Sequence, residues 1–69
     1  MPRVFVTYDD GARFQFEEET LSVAHIDAES ISAHDRVARV YVYAPYRGRK
    51  GYHLSVLAGM YINGKSTKE

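Results

Sequence analysis

The residues best equipped to bind something lie between 46 and 53. The run Tyr46-Arg47-Gly48-Arg49-Lys50-Gly51-Tyr52-His53 sets three cations among two tyrosines and a histidine, with two glycines that let the backbone bend. Guanidinium groups fork onto carboxylate or phosphate oxygens, and tyrosine rings pack beside them. That chemistry suits an acidic groove on a partner protein, since Tyr and Arg are enriched at binding hot spots. It also suits a phosphate backbone with unstacked bases. The plainer alternative is a solvated hairpin tip whose charges keep a sheet edge soluble. Tyr46, Arg47, Arg49, Lys50, Tyr52 and His53 are therefore the candidate partner-binding residues.

A second set is acidic. Glu17, Glu18, Glu19, Asp27, Glu29 and Asp35 form a candidate surface for a basic partner, including one that normally holds nucleic acid. Consecutive strand residues alternate faces, so at most two of the three glutamates point the same way. The overall net charge is zero, but residues 1–35 hold eight acids and two bases (−6), and residues 36–69 hold seven bases and one acid (+6). Such asymmetry marks an interaction surface, or halves that pair within the fold and cancel. The zero total weighs against a dedicated nucleic-acid binder, which is usually basic.

Other chemistries find little support. His25, His34 and His53 match no zinc spacing, and the chain has no cysteine to assist. Ser, His and Asp occur without a nucleophile elbow, and Gly48 and Gly51 lack the context of a phosphate-binding loop. A chain of 69 residues also has little room for a ligand pocket beside its core. No metal, no cofactor and no enzymatic activity are expected.

The elements that must position these residues read as mostly strand. Residues 3–8 are rich in β-formers, and Asp10-Gly11 signals a hairpin into residues 13–19. A two-residue loop there sets Phe5 opposite Phe16 and predicts Phe5, Phe14 and Phe16 on one buried face. Residues 21–26 alternate weakly and read as a short strand. Asp27 then caps a helical turn anchored by Ile31, or an ordered loop. Residues 37–44 are the clearest strand, with Val40, Val42 and Ala44 on one side and Arg39, Tyr41 and Tyr43 on the other. Pro45 ends that strand or marks its edge. Residues 52–62 fit strand period and helical spacing alike. Gly59 and the need of the preceding strand for a partner favour strand. Asn63-Gly64 ends the element, and residues 65–69 read as a frayed tail.

The expected fold class is therefore α+β and β-rich, a small antiparallel sheet of four or five strands with one short helical segment. Residues 1–64 form one domain. A domain of this size buries only roughly 60% of its unfolded surface, so self-association into a homo-oligomer is a natural supplement. No apolar run reaches the length of a membrane helix or a signal-peptide core, so no membrane association and a cytoplasmic location, in a cell or an infected host, are expected. The leading functional expectation is a non-enzymatic module that docks on a partner protein as a small inhibitor or assembly subunit, of the kind phages and mobile elements carry. A nucleic-acid-binding domain using residues 45–53 is the runner-up, and a self-associating structural protein is the third.

Overall fold

The computed structural model describes residues 1–47 and 53–67. The elements run β1 (Arg3–Tyr8), β2 (Arg13–Glu17), α1 (Leu21–Ser32), β3 (Val37–Arg47), β4 (His53–Ile62) and β5 (Lys65–Ser66). They build one antiparallel sheet in the order β2-β1-β3-β4-β5, with the single helix against one face. The α+β, β-rich class expected from the sequence is the observed one.

The first hairpin differs from the expected register by one residue. Arg3 pairs with Glu17, Val4 with Phe16, Phe5 with Gln15 and Val6 with Phe14. The loop has three residues, Asp9-Asp10-Gly11, closed by Tyr8 N–H donating to Ala12 C=O at 2.8 Å. A tight turn forms first, with Gly11 N–H donating to Tyr8 C=O at 3.0 Å, and Gly11 then takes φ +91°. Asp10 Oδ1 accepts from Ala12 N–H at 2.9 Å and fixes the exit. This is the three-residue hairpin with glycine in the left-handed position. One extra loop residue turns every β2 side chain to the opposite face. The expected face of three phenylalanines therefore does not exist. Phe14 and Phe16 lie with Val4 and Val6, and Phe5 lies on the other side with Arg3 and Thr7. Even there Phe14 is 56% exposed, at the margin of the core.

Residues 21–32 form a three-turn helix, where a short strand and a helical turn were expected. The cap is Thr20 and not Asp27: Thr20 Oγ1 accepts from Val23 N–H at 3.2 Å. The fully buried positions are Ala24, Ala28 and Ser32, spaced by four, so the centre of the face on the sheet is made of small side chains, with His25 and Ile31 partly buried beside it. That spacing defines a helix face, but its residues carry too little apolar bulk to stand out against Val23 and Ile26, which are exposed. The small residues let the helix lie close on a layer of Val4, Val6, Val40 and Val42, flanked by Val37 and Tyr61.

Strand β3 alternates as expected and continues through Pro45 to Arg47. Its pairing with β1 stops at Arg3–Tyr43, so Pro45 sits where β3 has become an edge on that side and needs no donor there. Residues 52–62 read as strand rather than helix, and β4 is indeed a strand from His53. A register shift between Val42–Gly59 and Tyr43–Leu57 leaves Ala58 as an extra residue in β4. The bulge breaks the alternation of β4 into two parts. Val56 opposes Ala44 and Leu54 opposes Tyr46, while beyond the bulge it is Gly59 and Tyr61 that share the side of Val42 and Val40. Asn63 and Gly64, both at positive φ, turn the chain back so that Lys65–Ser66 pairs with Ile62 and Tyr61.

Candidate functional site

One face of the sheet lies under α1, and the other is bare among the described residues. The bare face begins with alternation on the two inner strands. Arg3, Phe5 and Thr7 come from β1, and Arg39, Tyr41 and Tyr43 come from β3, with Phe5 paired to Tyr41 and Arg3 to Tyr43. Arg13 and Gln15 add to it from β2, and Ser55 from β4. Together these side chains line a shallow depression of about 630 Å³.

Aromatic rings form its centre. Phe5 meets Tyr43 edge to face, with centroids 5.2 Å apart and planes at 82°. Such a pair holds both rings in place while leaving ring surface available. Cations surround them. Arg3 Nη2 pairs with Glu17 Oε2 at 3.1 Å, and its Nη1 donates to Gln15 Oε1 at 3.3 Å. Arg39 Nη1 donates to Tyr41 Oη at 3.2 Å, and Arg39 has no ion-pair partner among the described residues. Arg13 has no ion-pair partner among the described residues. Three guanidiniums against one carboxylate make this face basic. The arrangement offers forked donors for oxygen acceptors, around rings that can pack against apolar or planar groups.

The basic loop expected as the binding site is only partly described. Tyr46, Arg47 and His53 are strand positions, with Tyr46 paired to Leu54 and Arg47 to His53. Arg49, Lys50 and Tyr52 lie outside the described residues. The ribbon of 44–47 and 53–56 that leads to them extends past the end of β1.

The acidic set is dispersed. Glu17 is engaged with Arg3 on the bare face. Glu18 and Glu19 follow β2 in the turn to the helix, and Glu18 Oε2 has no partner among the described residues. Asp27 and Glu29 are two residues apart on α1, about 200° around its axis, so they face different ways. Asp35 is past the helix end, beside His34 and Arg36. Among the described residues no ion pair joins the two oppositely charged halves of the chain, and Arg3–Glu17 lies within the first half.

The histidines do not converge, and no group of metal-ligating side chains occurs among the described residues. His25 has a packing role. Its Nδ1 lies 2.7 Å from Tyr61 Oη beneath the helix, and the two rings meet at 5.8 Å. A Cβ at residue 59 would come within 2.9 Å of His25 Cε1, so glycine is what admits the imidazole. Burial, and then the nearby Glu29 carboxylate, push the Tyr61 phenol above its ordinary value of 10.0. No helix among the described residues is long and apolar enough to cross a membrane.

Sequence reasoning placed Arg39, Tyr41 and Tyr43 together on the face away from the core. It expected Phe5 on the buried face and so missed that Phe5 and Arg3 join them, because the hairpin register decides which face of β1 is buried. The signal that would have found them was Asp9, which makes Asp9-Asp10-Gly11 a three-residue loop. The chain matches no protein-family model, no curated protein and no solved structure, so its function has to be argued from this face and its surroundings.

Proposed function

We propose that the chain is a non-enzymatic binding module that docks on a partner protein, as a small inhibitor or assembly subunit, through the bare face of its sheet. The supporting observation is the group of Phe5, Tyr41 and Tyr43 on adjacent inner strands, rimmed by Arg3, Arg13 and Arg39. Aromatic residues and arginine are the types enriched in protein interfaces, where rings supply buried area and guanidiniums supply directed bonds. The complementary surface has an apolar centre and an acidic rim. The basic loop at the end of the β3–β4 ribbon, with Arg47, Arg49 and Lys50, is a second contact to the same partner.

A second reading follows from the same rings. Aromatics on neighbouring strands beside cations can stack the bases of single-stranded nucleic acid. Salt separates the two. Phosphate binding weakens steeply with salt on every sequence, whereas a packed protein interface depends more on its rings. The test captures the partner from the native host with the wild-type chain, then measures affinity for Tyr41→Ala, for Arg13→Glu with Arg39→Glu, and for Arg47→Glu with Arg49→Glu. The protein reading expects Tyr41→Ala to cost about 2 kcal/mol of binding with an unchanged circular dichroism spectrum. Unchanged affinity in all three variants overturns both surfaces. Binding of unrelated oligonucleotides at low salt that is lost at high salt favours the second reading.

A further inference from the structure

The edges of this sheet are not equally guarded. Strand β2 closes one side with five residues that include Arg13 and Glu17. On the other side β5 has two residues, and it covers β4 only at Tyr61 and Ile62, with Thr67 N–H adding a bond to Met60 C=O at 2.9 Å. From His53 to Leu57 the outer edge of β4 has no strand beside it among the described residues. That stretch, His-Leu-Ser-Val-Leu, contains no lysine, arginine, aspartate, glutamate or proline. Leu54, Val56 and Leu57 are 55%, 47% and 54% exposed. Natural sheets protect an open edge with charge, proline, a bulge or brevity. Among the described residues the bulge at Ala58 comes after these five and bounds them on one side.

We infer that residues 53–57 pair antiparallel with the same residues of a second copy, joining two sheets across a two-fold axis. The neutrality of the segment favours this occupant. A two-fold contact sets a surface against itself, so any charge near the axis would meet its own like. A segment without charge meets no such penalty. Between the first described residue of β4 and the bulge lie residues 53–57, and an axis at Ser55 pairs all five of them. Leu54 of each copy then lies opposite Val56 of the other, on the side of the sheet that carries α1, and position 53 pairs with position 57. The unpaired backbone groups of both edges are satisfied, and four half-exposed aliphatic side chains leave water together. A seam of five pairs is at the small end of specific interfaces, so weak association is expected.

The test needs no partner protein, so its result stands apart from that of the proposed docking face. Sedimentation of the full chain from about 1 to 300 µM spans the expected range. The mass should rise from that of one 7.9 kDa chain toward that of two. Ser55→Lys and Ser55→Glu each set a charge opposite itself at the axis, and each should raise the dissociation constant about tenfold or more. An equimolar mixture of the two variants should recover the dimer, because Lys then faces Glu. Amide exchange at 53–57 in the wild-type chain should slow as concentration rises, a readout that holds even if a variant fails to fold. A wild-type chain that stays monomeric throughout overturns the inference and leaves the edge to a strand of another protein. A dimer that withstands both substitutions, or folded variants that do not recover on mixing, overturns it as well.

Discussion

At the scale of single residues, two buried polar groups hold the helix to the sheet. Ser32 is fully buried; its hydroxyl accepts from Gly64 N–H at 3.0 Å and donates to Glu29 C=O at 2.9 Å. It thereby ties the last turn of α1 to the β4–β5 turn. Ser32→Ala leaves the Gly64 donor unsatisfied and should cost about 1–3 kcal/mol, measured by urea denaturation. Tyr61 is the other. Its phenol titrates above 10.0 in the fold, so the folded chain keeps its proton at pH values where the unfolded chain loses it. The stability this provides is complete below pH 10 and falls as pH rises beyond it. Tyr61→Phe should lower stability at neutral pH by about 1 kcal/mol through the lost His25 bond, and should flatten the decline above pH 10. An alkaline unfolding profile that is identical in the two proteins would show that the decline originates elsewhere.

At the scale of elements, strands 3–8 and 37–44 were legible because alternation and β-branched residues mark them directly. What escaped was phase, which rests on single residues. The loop between β1 and β2 offers Asp10-Gly11 as a two-residue turn and Asp9-Asp10-Gly11 as a three-residue one. The choice decides whether Phe5, or Val4 and Val6, share the helix side with Phe14 and Phe16. The Ala58 bulge exchanges faces along β4 in the same way, and alternation alone cannot reveal a skipped beat. The helix escaped because Ala24, Ala28 and Ser32 are too small to produce a strong apolar period. The Asn63-Gly64 turn was present as a hairpin signal, yet the two polar residues after it did not resemble a strand. Gly11 offers a direct check of the first hairpin. At φ +91° an alanine is strained, and Gly11→Ala should lower stability by about 1–2 kcal/mol. No change in the unfolding midpoint would argue against a left-handed residue at this turn.

At the scale of the whole molecule, the helix shields one side of the sheet, and the proposed contacts are the arginine-rimmed rings of the bare face, the cationic run 47–50 and the uncharged edge of β4. Of the proposed site, the loop was legible as a run of cations and tyrosines. The bare face was not, because it is assembled from strands distant in sequence. That separation also governs how quickly the molecule can form. Strand β1 pairs on one side with β2, a few residues along, and on the other with β3, where Arg3 meets Tyr43 across forty residues (43 − 3). The first hairpin and α1 can each gather locally, but the valine layer is incomplete until β3 closes that long loop, which places folding in the range of milliseconds to seconds. Val42→Ala should therefore slow refolding, whereas Ser32→Ala, which loosens a contact made after closure, should mainly hasten unfolding. Stopped-flow rates across a denaturant series would separate the two. Until that closure the edges of β1 and β4 are open together, so the interval before β3 docks is when crowded copies of this chain are most exposed to mispairing.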